Sequence, residues 1–176
     1  GQRPFKYAPG ATGGPAATFK SLCTQNFDPP AIADGSTVFD VNTYDGNGSS
    51  KNIHLNFEPD LIWTKGRNNT EWHVLVDQLR TTSRFLYANG TNIESGNQSQ
   101  GVTAFSSTGY TVGSSDYLNK NTYTYVGWAW DAGSSNTSIS AGSISSGVPS
   151  IGSTVRANPS AGFSIVTWTA ATNTVN

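Results

Sequence analysis

The densest run of residues able to do chemistry is Trp72-His73-x-Leu75-x-Asp77-x-x-Arg80, with Arg84 shortly after it. Side chains of an extended chain alternate between its two faces, so His73, Leu75 and Asp77 fall on one face. An imidazole, a carboxylate and a guanidinium held together suit a sugar hydroxyl or a partner loop. They also suit a purely structural clasp. In that reading an Asp77–Arg80 or Asp77–Arg84 pair locks the following turn, and His73 is a satisfied donor beside it, because polar groups near a core must be paired. The clasp is the first reading and the small polar site the second.

Other chemistry is sparse. The histidines are His54 and His73 alone, and no G-x-S-x-G elbow, H-E-x-x-H pair or P-loop is present. The eleven acidic residues stand mainly at turns and strand ends. Nothing in their spacing singles out two that would flank a glycosidic bond. Cys23 is the single cysteine, so no disulfide forms within the chain and no thiolate set exists for zinc. We expect no catalytic residues, no metal and no cofactor.

The aromatic residues offer a different chemistry. Five Trp, seven Tyr and eight Phe accompany sixteen Asn. Sugars stack on exposed aromatic faces, so a lectin-like role is worth weighing against the simpler one, in which the rings fill a core. Trp63, Trp128 and Trp130 lie at strand centres and are expected in the core. Trp72, Tyr117 and Tyr44 lie near loops and are the better surface candidates. The candidate ligand-binding residues are therefore Trp72, His73, Asp77, Arg80 and Tyr117.

The elements that must position them are strands. The chain has 176 residues, 35% hydrophobic and 12% charged, with 22 Ser, 21 Thr and 19 Gly. Ser, Thr, Asn and Gly favour turns and pleated surfaces over helix interiors. The apolar residues are largely aromatic and β-branched. All-α and α/β architectures are disfavoured. A net charge of −1 leaves no basic field for a phosphate backbone. No apolar stretch approaches the ~20 residues of a membrane span, and no export signal is read. The Gly1-Gln2-Arg3-Pro4 start and the absence of Met suggest a processed chain or a fragment.

Residues 1–34 are Pro/Gly-rich and read as an extended arm, pinned by Phe19, Leu22 and Phe27. Residues 35–133 read as the folded body. Strand candidates are Ser36–Thr43, Ile53–Phe57, Leu61–Lys65, Trp72–Val76, Arg84–Ala88, Val102–Phe105, Tyr110–Val112 and Tyr123–Trp130. Asp45–Gly48 is a turn cluster, and Asn89-Gly90 is the strongest hairpin dipeptide. Tyr123–Trp130 is apolar on both faces, which implies burial on both sides or a second sheet across one of them. Residues 134–154 read as a Ser/Gly-rich flexible linker. Residues 155–176 begin a further domain or an inter-subunit strand, with Phe163, Ile165 and Trp168 buried against a partner. The fold class is all-β, an antiparallel β-sandwich with extended arms at both ends.

The body also resembles a repeat domain of virion proteins of tailed bacteriophages. The resemblance is carried by Phe57-x-Pro59-Asp60-Leu61-Ile62-Trp63-x-Lys65-x-Arg67, by the Trp72–Arg80 segment, and by Leu86-x-x-Asn89-x-Thr91-x-x-Glu94. It continues in Phe105-x-x-x-Gly109-Tyr110-Thr111-Val112-Gly113, Tyr117-Leu118-Asn119, and Tyr125-Val126-x-Trp128-Ala129-Trp130-x-Ala132-Gly133. The flanks fit the same picture: residues 1–26 look like the exit from a SPRY-type sandwich, and Ala161–Trp168 like the first strand of a related repeat. The resemblance implies a concanavalin-A-like jelly roll in a tail fibre or other appendage at the virion surface. It implies no cofactor and no established catalytic residues. The partners it implies are other virion proteins, further copies of the chain (a trimer) and host-surface glycan, with no nucleic acid and no membrane. A capsid-decorating or fibre-spacing protein and a glycan depolymerase are the rival readings. The family pattern has Gly directly after the Arg80 position, where this chain has Thr81, so a turn of different shape is expected there.

Overall fold

A computed structural model of the chain describes residues 32–170. All but the last three positions of the expected N-terminal arm lie outside the described residues, including Phe19, Leu22 and Phe27. Among the described residues, eleven strands form: β1 (Phe39–Asp45), β2 (Lys51–His54), β3 (Leu61–Gly66), β4 (Val74–Asp77), β5 (Leu86–Tyr87), β6 (Val102–Ser106), β7 (Gly109–Val112), β8 (Thr124–Trp130), β9 (Asn136–Ile139), β10 (Ser153–Asn158) and β11 (Phe163–Trp168). One short helix, α1 (Asp116–Asn119), precedes β8. The protein is all-β, and every strand pairing is antiparallel.

The sheets follow from the two-residue period. β1-β8-β3-β4-β5 make a five-stranded sheet, and β2-β7-β6 a three-stranded one. The inward side chains of the first are Ile62, Val74, Val76 and Ala129, and those of the second Ile53, Tyr110, Val112 and Val102. These residues form one buried cluster, so the two sheets face each other as a sandwich-like pair. Leu118 of α1 closes the cluster. Beside it, Asn119 is fully buried: its Nδ2 donates to Gly113 O at 2.8 Å and to Asn47 Oδ1 at 2.9 Å, and also to Ser49 O. One amide thus ties the loop between β1 and β2 to α1 and to the end of β7. Gly127 of β8 has no room for a side chain, since a Cβ there would stand 2.5 Å from Tyr110 Oη.

Several expected boundaries shift. Ile53–Phe57 is strand only to His54, although Leu55 and Phe57 stay buried. Arg84–Ala88 shortens to Leu86–Tyr87. Asn89-Gly90 makes no hairpin. Asn89 Oδ1 instead accepts the His73 amide at 2.9 Å, and Gly90 is needed because a Cβ would meet the Trp72 ring at 2.1 Å. The expected linker over residues 134–154 contains β9, paired with β10 from Asn136↔Arg156 to Ile139↔Ser153. Apart from Ile139 at its end its residues are polar and exposed, so the backbone ladder makes this strand rather than burial, and no hydrophobic period marks it. The strand at Phe163–Trp168 also finds its partner within the chain: it pairs with β10 in a third sheet, β11-β10-β9.

That third sheet is held on the outer side of the five-stranded one. Phe163 stacks on Trp130 with centroids 5.8 Å apart and planes at 20°. Asn158 Nδ2 donates to Asp131 Oδ2 at 3.0 Å. Arg156 Nε lies 2.6 Å from Oδ1 of Asp60, a residue 1% exposed whose Oδ2 accepts the Ala132 amide at 2.7 Å. Burial pushes the Asp60 carboxyl up to about 6, against the downward pull of the Ala132 amide and the Arg156 guanidinium. A raised pKa near a groove suggests an acid catalyst. Here the carboxyl is inaccessible, with Oδ2 taken by the Ala132 amide and Oδ1 held only by the charge of Arg156, outside hydrogen-bond geometry, so it acts as a latch. Glu58 and Asp131, which line the groove beside Arg156, are engaged as well: Glu58 accepts from Gln78 Nε2, and Asp131 from Gly133 N and Asn158.

The latch has a pH signature. Unfolded Asp60 titrates at 3.8 and folded Asp60 at about 6, so the folded chain holds the proton more tightly. Its contribution favours folding fully below about pH 4 and is lost as pH rises through 6, about 3 kcal/mol in all. Melting curves across this range should show a midpoint falling with pH, and Asp60→Asn should flatten the fall. An equal slope in the variant would rule the latch out as its source.

Candidate binding site

The five candidate residues do not form one site. Trp72 and His73 are adjacent in an extended segment, so they point to opposite faces of the five-stranded sheet. His73 turns outward with Leu75 and Asp77. Its Nδ1 accepts a hydrogen bond from Trp63 Nε1 at 3.3 Å, and its ring lies 5.8 Å from that indole. It is therefore an acceptor in this arrangement. Trp63 and Trp128, expected in the core, are only partly buried on this outer face, 5.4 Å apart. Their register places them opposite each other on neighbouring strands with side chains outward.

Asp77 and Arg80 do come together. Asp77 is 2% exposed, accepting the Arg80 amide at 2.9 Å and Arg80 Nε at 2.7 Å, with Arg80 Nη2 on the same oxygen. Arg80 Nη1 reaches Glu94 Oε2 at 3.3 Å, and Arg84 Nη1 takes the other Glu94 oxygen at 3.1 Å. Of the two expected arginine partners, Arg80 serves Asp77 and Arg84 serves Glu94. The network closes the segment between β4 and β5 as a structural clasp. Glu94 escaped the residue-by-residue reading because it is fourteen positions from Arg80 and belongs to no strand.

The turn after Arg80 is strained. Thr81 has a φ of 84°, the left-handed region in which a β-branched residue is disfavoured and Gly is at ease. The clasp holds Thr81 there, since the Asp77 carboxylate fixes the Arg80 amide just before it.

Trp72 and Tyr117 belong to a third group. Trp72 lies against Tyr87, centroids 5.3 Å apart, and Tyr87 against Tyr117 at 6.0 Å. Tyr117 meets Phe85 edge-on at 6.4 Å. The result is a stepped aromatic ladder at the rim of the sandwich, rooted in the buried Phe85. The Ala88 amide on His73 O and the His73 amide on Asn89 Oδ1 fix the backbone that carries Trp72. All three ladder rings remain partly exposed. Burial pushes the Tyr117 phenol above its usual range, and the nearby Tyr87, Glu71 and Asp116 add to the rise. Aromatic faces beside carboxylates and amides suit a polyhydroxylated ligand, with rings for its C–H faces and polar groups for its hydroxyls. Tyr87 is the ladder residue that the sequence did not expose. It sits in an apolar run that reads as core.

The fold and these clusters define an all-β, sandwich-like protein with surface rings on a rigid frame. Residues 34–176 match the model of a family described as Domain of unknown function (DUF7483), and the chain belongs to that family. Neither the curated proteins nor the solved structures give a match.

Two substitutions probe the clasp. Arg80→Ala leaves a buried carboxylate short of its cation and should cost about 1–3 kcal/mol in denaturant unfolding. Thr81→Gly removes the left-handed penalty and should stabilise by about 1 kcal/mol, or by less to the extent that Gly adds freedom to the unfolded chain. A Thr81→Gly variant less stable than the parent would show that the strain in the turn is smaller than the freedom Gly adds to the unfolded chain.

Proposed function

We propose that the chain is a non-enzymatic structural and adhesion module of a tailed-phage virion, carried on a tail fibre or other surface appendage and contacting host-surface glycan. Within this reading the facing antiparallel sheets belong to a concanavalin-A-like jelly roll, and the chain works at the particle surface among other virion proteins and further copies of itself. The single observation that supports the glycan contact is the Trp72–Tyr87–Tyr117 ladder, partly exposed and braced from behind by Phe85. The phage setting rests on the sequence resemblance through Phe57–Gly133. A second reading, a fibre-spacing or capsid-decorating protein that binds only virion partners, is favoured by the uncovered apolar residues on the outer sheet face, Val41 and Leu86 among them.

Titration of host-envelope polysaccharide into the protein tests the first reading. Trp72→Ala should weaken binding by about tenfold while the circular dichroism of the fold persists, the loss of one stacking ring. Binding that is absent in the parent chain, or unaltered in the variant, would leave the virion-partner reading in its place.

A further inference from the structure

The outer face of the five-stranded sheet carries a row of apolar side chains that crosses every strand. Register sets Trp128 of β8 between Val41 of β1 and Trp63 of β3, with Leu75 of β4 next and Leu86 of β5 last. Val41 is 45% exposed and Leu86 39%. The neighbouring row, which includes Trp130, is the one that the third sheet covers through Phe163. Among the described residues, cover therefore stops partway across a continuous apolar surface.

It stops at a strand edge. β10 lies over the Asp60 and Asp131 end of the sheet, and β11 lies next to it toward the middle. Among the described residues β11 pairs with β10 and with no strand on its other side. Between Ile165–Trp168 and Leu61, Leu75 and Leu86 runs a groove of about 340 Å³, with Asp77 and Arg80 of the clasp also lining it. Among the described residues an unpaired backbone edge thus stands beside a largely apolar, uncovered floor. A sugar would meet the floor and leave the amides and carbonyls of the edge unused. A second copy adding its own β11 antiparallel would put both five-stranded sheets on the same side of the joined sheet. Each already extends past its own β11 there, so the two would collide.

We infer that the β11 edge and the groove beneath it take an extended segment of another protein as a further strand, with apolar side chains at alternate positions set against Trp128, Trp63 and Leu75. Backbone hydrogen bonds to the edge supply affinity, and the alternate side chains supply selectivity. The added strand continues the contact that Phe163 begins, crossing the sheet as β11 does. This inference is independent of the glycan reading, whose rings lie at the rim of the sandwich.

Selection from a display library of random linear peptides against the full chain tests it. Selected peptides should alternate apolar and polar residues and should slow amide exchange in Phe163–Trp168. Val41→Lys and Leu86→Lys each place a charge at a half-exposed position and should weaken that binding about tenfold or more with the melting midpoint unchanged. The inference is overturned if the library yields no binder, if selected peptides show no alternation, or if exchange in β11 is unaltered. Self-association of the chain that either lysine variant abolishes would also overturn it, by assigning the face to a second copy. Competition by soluble polysaccharide for the same face would assign it to glycan.

Discussion

Strand β8 is apolar on both faces, and the rest of the molecule is arranged around that fact. Tyr125, Gly127 and Ala129 point inward, while Val126, Trp128 and Trp130 point outward. A sheet built on such a strand needs cover on both sides. The β2-β7-β6 sheet supplies one cover and buries the core residues from Ile53 to Ala129. The third sheet supplies part of the other and is anchored where Phe163 meets Trp130 and Arg156 meets Asp60. A charged latch at the margin of an apolar contact restricts how the layers dock. The apolar stack accepts many sliding positions, whereas the buried carboxyl accepts one.

The same two-residue alternation divides the chemistry. It sends His73 outward to Trp63 and Trp72 toward the sandwich rim, so neighbours in sequence serve different surfaces. Asp77, at the end of β4, is drawn into a clasp with Arg80 and Glu94. The clasp has a local consequence at Thr81, whose backbone is held in the left-handed region that a β-branched residue disfavours.

The match to the DUF7483 family covers residues 34–176 and leaves the function to be argued from the surfaces. Two surfaces have the makings of contacts. The ladder at the rim offers rings with polar neighbours. The outer face offers a broad apolar floor beside an open strand edge. They differ in chemistry, so one chain has room for a soluble polar ligand and a protein neighbour at once.

The class of fold and the location of most strands were legible in the residues alone. Turn-forming residues, β-branched and aromatic runs and the alternation in Leu61–Lys65 and Tyr123–Trp130 are local properties, and local sterics decide them. The pairing of Asp77 with Arg80 was legible too, because an acid and a base three residues apart at a turn meet whatever surrounds them. Tertiary structure alone decided the rest. β9 is polar apart from Ile139 at its end and exists because β10 offers it a ladder. Asn89-Gly90 loses its hairpin because the Trp72 ring and the His73 amide claim its space and its side chain. Tyr87 meets Tyr117 across thirty residues of chain, and Asp60 finds Arg156 across ninety-six. Contacts at such separations leave no periodicity to read, since they depend on which faces the sheets present to one another once packed.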